Sequence, residues 1–387
     1  MIIYIFYFII IIYSVLILLF YFYWIIYNDF TDNNKLCEPE NIIASVVVTV
    51  RNEEENILNC LKSLTSQYIA NNKIEIIISD DYSTDKTVTV AENFINTFSS
   101  DFFSIKLIKS NNKSDINKGS KKYSQEIAIK QAKGEIILLT DADCIYNNKW
   151  IITVLKYFTN NEILFASGPV QILTDKSLFS KLQSLEFASL VISGGSSIMM
   201  HIPIMSNAAN MAFRKSAFIE ISDKIPAKSL SSGDDIFLMS AFKKFFGKKS
   251  LYFIKESEAI VYTKPQKSLK SFIHQRIRWT SKVYAYRDIP QILVGLVVVL
   301  ANFSIIGFLV ITLFSKQFFL LFLIAVVIKS IPEFLLLYAG LKLFNSRKLL
   351  WYFFPLLIIY PFYIVSMPAL SLCIKSRWKD RIIRVCP

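Results

Sequence analysis

The sequence predicts an α/β domain with a mostly parallel sheet covered by helices, flanked by apolar segments at both ends of the chain. Short β-branched runs alternate with helix-like stretches between residues 42 and 265, which is the order typical of a parallel sheet. Outside that region the chain consists mainly of long apolar runs. Of the 387 residues, 53% are hydrophobic and 19% are charged, whereas a soluble domain carries about 25% charge. These observations indicate a globular domain attached to membrane segments.

Four apolar runs are long enough to cross a bilayer, whose hydrocarbon core is about 30 Å thick. The first, residues 1–27, carries no charge and lacks the basic start of a signal peptide, so we expect a transmembrane anchor that is not cleaved. The other three lie within residues 290–374, at 290–314, 317–341 and 349–374. Lys329 and Glu333 of the middle run are four residues apart, so they can pair on one helix face. Prolines interrupt the last run, which leaves open whether it spans or re-enters the membrane.

Basic residues surround the second apolar run. The formal net charge is +13, and residues 266–289, which we expect to be an amphipathic segment at the interface, contain six of the lysines and arginines. A basic flank marks the cytoplasmic side, so we expect the domain at 42–265 in the cytoplasm, on the plasma (inner) membrane. Attraction to anionic membrane lipids explains the charges without a nucleic-acid partner. Three crossings after the domain would place the basic tail, 375–387, on the other side, so the sequence leaves the side of the tail open.

Each strand and helix of the domain has its own pattern. Residues 43–50 form a continuous β-branched run, as in a strand buried on both faces. Apolar residues at helical spacing follow in 53–67. The alternation continues with strands at 74–79, 104–108 and 135–140 and with helices near 85–98 and 120–133. Ligands of such sheets bind beyond the carboxyl ends of the strands, which directs attention to 49–53, 80–85 and 141–143.

Acidic residues stand at those strand ends. Asp80 and Asp81 follow the second strand, and Asp141 and Asp143 follow the fourth. Two carboxylates spaced Asp-x-Asp suit an Mg²⁺ or Mn²⁺ ion that also binds a diphosphate. The alternative is an Asx turn or, for Asp81 and Asp85, a helix cap. With two histidines and five scattered cysteines, the sequence excludes a histidine-rich metal centre and argues against a zinc site or a disulfide framework.

Five motifs, in this order, resemble those of the family 2 glycosyltransferases: VVTVRNEEENILNCLKSLTSQ, IIISDDYSTDKT, LLTDADC, SGDDIFL and QRIRW. The resemblance covers roughly residues 42–287, and the last motif fits the Q-x-x-R-W pattern of cellulose- and hyaluronan-synthase-like members. It implies a GT-A fold, a nucleotide-sugar donor and inversion at the anomeric carbon. Membrane-bound members also flank this domain with helices, as we expect here.

The resemblance implies a donor site at the strand ends. It places four residues around the base and ribose of the donor: Thr49, Arg51, Glu53 and Asp81. Asp81 would bind a uracil-type edge, which favours a UDP-sugar. Asp141 would contact the ribose or sugar and share the metal with Asp143, and Lys118 would meet the diphosphate. Tyr82 stands where the family has glycine, which makes the shape of this turn uncertain.

The last two motifs imply the acceptor side. An inverting transfer needs a carboxylate that takes the proton of the acceptor hydroxyl, and the family pattern gives this role to Asp235. Capping of the helix that follows is the alternative for this residue. Five residues would lie at the acceptor or the diphosphate: Asp234, Gln275, Arg276, Arg278 and Trp279. For the segment that holds Trp279, an interfacial amphipathic helix is the alternative.

Together these inferences predict a membrane-bound inverting glycosyltransferase of the cell envelope that uses Mg²⁺ or Mn²⁺. We expect a nucleotide-sugar donor and a lipid-linked or amphiphilic glycan acceptor. A processive polysaccharide synthase is the alternative. The Q-x-x-R-W motif favours it, whereas four membrane segments are few for a channel that must pass a polymer. A membrane scaffold or nucleotide-sugar sensor is the non-enzymatic alternative. It is disfavoured because a scaffold has no need of carboxylates gathered at strand ends.

Overall fold

The computed structural model describes residues 1–27, 38–109, 121–225, 234–374, 377–378 and 381–382. Strands are numbered along the chain. The central sheet contains β1 Ile43–Val50, β2 Lys73–Asp80, β3 Phe103–Lys109, β4 Ile136–Asp141, β6 Phe165–Ser167, β8 Met211–Arg214 and β9 Leu251–Phe253. Its order is β3-β2-β1-β4-β8-β6-β9. Every pairing is parallel except those that β8 makes with β4 and β6, so the expectation of a mostly parallel sheet is confirmed.

A second sheet of three short strands lies beside the first. It contains β5 Ile145–Tyr146, β7 Val170–Ile172 and β10 Val261–Thr263, with β10 in the middle. A further pair, β11 Arg377–Trp378 and β12 Arg381–Ile382, follows near the end of the chain.

Helices connect the strands and carry the rest of the domain. Within the described ranges they are α2 Ile57–Thr65, α3 Thr87–Thr97, α4 Lys121–Gln131, α5 Trp150–Tyr157, α6 Leu178–Met199, α7 Lys215–Ile221, α8 Asp234–Phe246 and α9 Leu269–Thr280. The helices α2, α3 and α4 begin later or end earlier than the sequence patterns predict. For α2 and α3 the reason is that the preceding residues form a hydrogen-bonded loop, described below.

The core of the domain forms where the sequence predicts it. In β1 and in β2, seven of the eight residues are buried, because helices cover both faces of a parallel sheet. The helix α2 turns Cys60, Leu61 and Leu64 towards this core. A glycine, Gly134, lets the chain pass close to β1, since a Cβ atom there would lie 2.4 Å from the Ser45 amide nitrogen.

Four apolar helices confirm the four predicted runs. They are α1 Ile2–Ile26, α10 Ile289–Phe314, α11 Phe319–Gly340 and α12 Phe353–Cys373, and each is long and apolar enough to cross a membrane. The first runs beside α11: the Tyr7 hydroxyl donates to the Leu321 carbonyl at 2.6 Å and the Ser14 hydroxyl to the Ile328 carbonyl at 2.9 Å.

The predicted pair within α11 is present. Lys329 Nζ lies 2.6 Å from Glu333 Oε1, and the Tyr13 hydroxyl of α1 donates to the same oxygen at 2.6 Å. Charged groups inside an apolar bundle need such partners, so this contact also ties α1 to α11.

The helix α12 stays close to the domain along much of its length. Just before it, the ring of Tyr352 lies under Lys181 of α6. At the middle of α12, the Tyr363 hydroxyl donates to Glu186 of α6 at 3.2 Å. Pro361 and Pro368 lie inside this helix, and proline weakens the backbone hydrogen bonding of a helix.

Candidate active site

Three strand ends bring the candidate donor residues together. In the sheet register Thr49 of β1 is paired with Ser79 of β2 on one side and with Asp141 of β4 on the other. The expectation that these strand ends share one edge is therefore confirmed. The Thr49 hydroxyl is buried, and within the described ranges it has no hydrogen-bond partner. A buried hydroxyl without a partner is costly, so this position suits a ligand.

Arg51 organises the next strand end. Its Nη1 donates to the Asp81 carbonyl at 2.7 Å and to the Tyr82 carbonyl at 3.0 Å. The amide of Asn52 donates to the Ser83 hydroxyl at 3.0 Å, and the amide of Glu53 donates to the Thr87 hydroxyl at 2.7 Å. These bonds hold the loops after β1 and β2 against each other, which is why α2 and α3 begin later than predicted.

The turn after β2 has a backbone conformation that usually requires glycine, although the residue there is a tyrosine. Tyr82 has a φ of 57°, a left-handed conformation that costs a residue with a Cβ atom free energy. The Asp80 carboxylate accepts from the Ser83 amide at 3.2 Å, and the Asp81 amide donates to the Val50 carbonyl at 2.8 Å. The side chain of Asp81 is fully buried.

Asp85 bonds the start of α3 from one residue before the N-cap, which is Lys86. Its Oδ1 accepts from the Thr87 amide at 2.9 Å, at the start of α3, and its Oδ2 accepts from the Glu54 amide at 3.2 Å. Burial favours the neutral acid, but the hydrogen bonds from Thr87 and Glu54 outweigh it and hold the pKa of Asp85 below its usual value.

The Asp-x-Asp pair lies at the end of β4: Asp141 is its last residue, and Asp143 lies two residues beyond. Lys121, the first residue of α4, forms an ion pair with Asp141, and the Thr263 hydroxyl of β10 lies 3.4 Å from Asp143 Oδ2. Burial, followed by repulsion from Asp141 and Glu53, raises the pKa of Asp143 to about 6. Negative charge is therefore crowded here, as it is where a cation binds.

A divalent ion fits this donor set. In the part of the chain that the structure describes, no group of three or more His, Cys, Asp or Glu side chains could hold a metal. Mg²⁺ commonly uses only one or two carboxylates, and the substrate phosphates and water supply the remaining ligands. Two carboxylates at the end of a buried strand match that pattern.

Asp235 lies in the first turn of α8, which begins at Asp234. Asp235 is therefore inside the helix and does not occupy the N-cap position that the capping alternative predicts. Its Oδ1 accepts from the neighbouring Ile236 amide at 2.9 Å. Lys282 Nζ is 3.9 Å from the same oxygen. Two candidate positions, the side chains of Asp234 and Lys118, lie outside the described part of the chain.

The two arginines of QRIRW, both on α9, have different surroundings. Arg278 lines the same cavity as Asp141, Asp143 and Asp235. Burial lowers the pKa of Arg278 below its ordinary value, and attraction to these three carboxylates offsets only part of that effect. Arg276, in contrast, forms an ion pair with Glu186. We expected Arg276 at the diphosphate or acceptor; it lines the cavity described below, where its guanidinium is paired with the Glu186 carboxylate of α6.

Glu186 is a site residue that the sequence analysis missed. It is the only acidic residue of α6, whose other positions are mainly apolar or small. A single carboxylate in a helix of that composition is a signal that could have been used, because a buried acid needs a partner.

One large cavity, of about 1400 Å³, connects this site with the apolar helices. At one end it is lined by Thr49, Asp141, Asp143 and Asp235. It continues past Gln275 and Trp279 of α9. Its other end is lined by apolar side chains of α1, α6, α10, α11 and α12, among them Ile17, Val191, Val298, Leu337 and Leu356.

Comparisons with known proteins agree with this architecture. The family model described as glycosyl transferase family 2 matches residues 45–222, and the model described as glycosyl transferase family group 2 matches residues 136–373. The second match covers more than half of the chain. It extends from the strand β4 through the last apolar helix.

Two curated relatives match over part of the domain. The poly(ribitol-phosphate) beta-N-acetylglucosaminyltransferase TarS of Staphylococcus aureus is 31% identical over 105 residues, which are 27% of this chain and 17% of that protein. The glycosyltransferase AglE of Haloferax volcanii is 31% identical over 128 residues, which are 33% of this chain and 39% of that protein. This chain thus matches well under half the length of either relative.

A solved structure shares the fold over nearly the whole chain. The mannosyltransferase PcManGT from Pyrobaculum calidifontis, in complex with GDP-Man and Mn²⁺, aligns with a TM-score of 0.57 at 12% identity. The alignment covers 89% of this chain and all of that chain. The sheet order, the acids at the strand ends and the family models lead to one conclusion: the chain belongs to glycosyl transferase family group 2 and has a GT-A fold.

Proposed function

We propose that this glycosyltransferase is membrane-bound and inverting, and that it transfers a sugar from a nucleotide-sugar donor to a lipid-linked or amphiphilic acceptor of the cell envelope. The observation that carries the proposal is the continuous cavity, because it joins the carboxylates at the strand ends to apolar faces of the membrane helices. A soluble acceptor has no use for that apolar half, whereas a lipid chain does.

The donor binds at the carboxyl ends of β1, β2 and β4. The nucleoside is surrounded by Thr49, Arg51, Glu53 and Asp81. Among the described residues the Thr49 hydroxyl has no hydrogen-bond partner, so it is available to the donor. Asp81 favours a UDP-sugar. The GDP-Man found in the mannosyltransferase of the same fold supports a nucleotide-sugar donor.

Asp143 and Asp141 would hold Mg²⁺ or Mn²⁺, and the Mn²⁺ of that mannosyltransferase supports such an ion. When bound, the ion would neutralise charge on the departing diphosphate. Lys121, paired with Asp141, and Arg278, which lines the same cavity, add positive charge near the same diphosphate.

Asp235 takes the proton of the acceptor hydroxyl as that hydroxyl attacks the anomeric carbon. Its position in the first turn of α8, at the cavity wall, lets its carboxylate reach an acceptor hydroxyl in the cavity. Trp279 and Gln275 line the cavity between this acid and the apolar end. They orient the acceptor, since a Trp ring offers a flat apolar face and an amide offers hydrogen bonds.

The domain lies on the cytoplasmic side of the plasma (inner) membrane, as the basic flank at 266–289 indicates. The tail, 375–387, lies on the same side, with α12 re-entering instead of crossing. The contacts of Tyr352 and Tyr363 with α6 support this path, because they keep the start and the middle of α12 next to the domain.

Mass spectrometry of lipid products tests the proposal. Purified protein in lipid nanodiscs is incubated with a panel of nucleotide sugars and a membrane lipid extract. We expect one nucleotide sugar to yield lipid carrying a single added sugar. A ladder or a high polymer would instead establish the processive synthase, the alternative that Q-x-x-R-W favours.

A further inference from the structure

Glu186 is the centre of a buried polar cluster that the proposed chemistry does not use. Both of its carboxylate oxygens accept from Arg276, Oε1 from Nε at 3.2 Å and Oε2 from Nη2. The Tyr363 hydroxyl of α12 donates to Oε1 at 3.2 Å. The exposed fraction is 4% for Glu186 and 3% for Arg276. The contact therefore joins α6, α9 and α12 while both charged side chains stay almost fully buried.

Arg276, held by Glu186, in turn contacts three other side chains of α9. Its guanidinium carbon lies 4.4 Å from the centre of the Phe272 ring and 4.2 Å from the centre of the Trp279 ring. Its Nη1 donates to the Gln275 side-chain oxygen at 2.6 Å. A planar guanidinium with fixed partners determines the position of the groups stacked on it.

The Nε, Nη1 and Nη2 atoms of Arg276 all have protein partners, so its guanidinium is held in place. Gln275 and Trp279 line the cavity, as do Arg276 and Glu186 themselves. We propose that Glu186 is a positioning residue, which acts through Arg276 to hold the Gln275 amide and the Trp279 ring in the orientation that receives the acceptor. This inference rests on the proposed transferase function. It means that residues of α6 and α12 hold the acceptor side of the site in place.

If Glu186 had a purely structural role, its substitution would lower stability without a specific effect on the acceptor KM. Removing one partner of a buried ion pair leaves the other charge unpaired, and the protein is destabilised wherever the pair lies. Stability alone therefore cannot identify a positioning residue. The acceptor KM, compared with donor binding, can do so.

The test uses the full-length protein in nanodiscs, with the nucleotide sugar and lipid that give product for the wild type. In Glu186→Gln we expect the acceptor kcat/KM to fall at least about tenfold, as for a reacting group displaced by a fraction of an ångström. Donor KM and the slow hydrolysis of the nucleotide sugar without acceptor should be unchanged. Wild-type acceptor kinetics in this variant would overturn the inference.

Two further variants separate positioning from stability. The double change Glu186→Gln with Arg276→Gln removes the unpaired buried charge, so thermal stability should recover while the acceptor defect remains. Recovery of both would overturn the inference. Glu75→Gln is the matched control, since Glu75 is also buried and lies 2.9 Å from Lys106 in the sheet, away from the cavity. It should lower the melting temperature and leave the acceptor KM unchanged.

If Glu186→Gln does not fold, Tyr363→Phe tests the same link by removing one hydroxyl. We expect a several-fold rise in acceptor KM with unchanged donor hydrolysis, and an unchanged acceptor KM would count against the inference. Absence of any transfer by the wild type with the full panel of donors would refute the proposed function, and this inference with it. Transfer by the wild type together with normal acceptor kinetics in the variants would refute the inference alone.

Discussion

At the scale of single residues, Tyr82 shows how a turn can be kept when its sequence signal is absent. The resemblance places glycine at this position, and the structure places Tyr82 at a φ of 57°. We expect Tyr82→Gly to be more stable than Tyr82→Ala by about 1 kcal/mol, because only the alanine keeps a Cβ in the left-handed region. Thermal unfolding of the two variants measures this difference. Both lack the tyrosine side chain, so the comparison isolates the backbone, and equal stabilities would contradict it.

Asp235 is the second residue-scale case. Asn has nearly the size of Asp and suits a helix start about as well, so folding and donor binding should survive in Asp235→Asn. Loss of one acid–base group should lower kcat by about 10²–10⁴-fold. Single-turnover transfer measurements with saturating donor give this value.

The matched control for Asp235 is Asp175→Asn. Asp175 accepts from the Ser177 amide at 2.7 Å before α6 and is no part of the cavity wall. Its substitution should leave kcat unchanged. Near-wild-type turnover in Asp235→Asn would move the catalytic base to another residue.

At the scale of elements, the end of β4 should control metal dependence. We expect Asp143→Asn to abolish turnover and to remove the divalent-dependent part of nucleoside diphosphate binding, because an amide is a weaker ligand for Mg²⁺ or Mn²⁺ than a carboxylate. Calorimetric titration of UDP with and without Mn²⁺ measures the binding. For the wild type, excess EDTA should stop activity and added Mn²⁺ should restore it. Full activity in EDTA would refute a metal-assisted mechanism.

The helix α10 offers a test of the apolar half of the cavity. Gly295 lines this cavity, and a Cβ atom at that position would meet no atom within 4 Å. Gly295→Phe should therefore fill space that an acceptor lipid needs. We expect a rise of tenfold or more in the acceptor KM, about 1.4 kcal/mol, with donor hydrolysis unchanged.

The control for Gly295 lies on the same helix. Leu293 is 54% exposed on the outer surface of α10 and does not line the cavity, so Leu293→Phe should leave the acceptor KM as it is. Equal acceptor kinetics in the two phenylalanine variants would argue against a lipid in this cavity.

At the scale of the whole molecule, the orientation in the membrane is testable by cysteine accessibility. The described cysteines of the domain, Cys60 and Cys144, are free but fully buried, and burial raises the pKa of the Cys60 thiol to about 12. Thiolates are the reactive form, so these two residues would stay unlabelled on either side. Reporter cysteines must therefore be placed at exposed positions.

With Cys37 and Cys373 replaced by serine, we compare Asp101→Cys in the domain, Lys316→Cys between α10 and α11, and the native Cys386 of the tail. In intact cells an impermeant thiol reagent should label only Lys316→Cys. Labelling of Asp101→Cys would reverse the orientation of the domain. Labelling of Cys386 together with Lys316→Cys would mean that α12 crosses the membrane.

Local patterns determined most of the fold. The β-branched runs of β1 and β2 predict strands buried on both faces, because the strands of a parallel sheet are covered by helices on both sides and therefore consist of consecutive apolar residues. The four apolar runs predict α1, α10, α11 and α12 for an equally local reason, the thickness of a bilayer. The position of Asp141 and Asp143 after a strand, together with the topology rule for parallel sheets, predicts the edge where the site lies.

Long-range contacts decided the remaining questions. The sequence shows Arg276 and Arg278 in one motif, yet only the Arg276 guanidinium is paired with Glu186, while Arg278 lines the cavity together with the carboxylates of the strand ends. That difference depends on α6, which lies about 90 residues earlier in the chain. The joining of the polar site to an apolar cavity likewise depends on how α1, α10 and α12 pack against the domain. Periodicity and propensity report only on neighbours in sequence, whereas a buried charge is satisfied by whatever the folded chain brings within hydrogen-bonding distance.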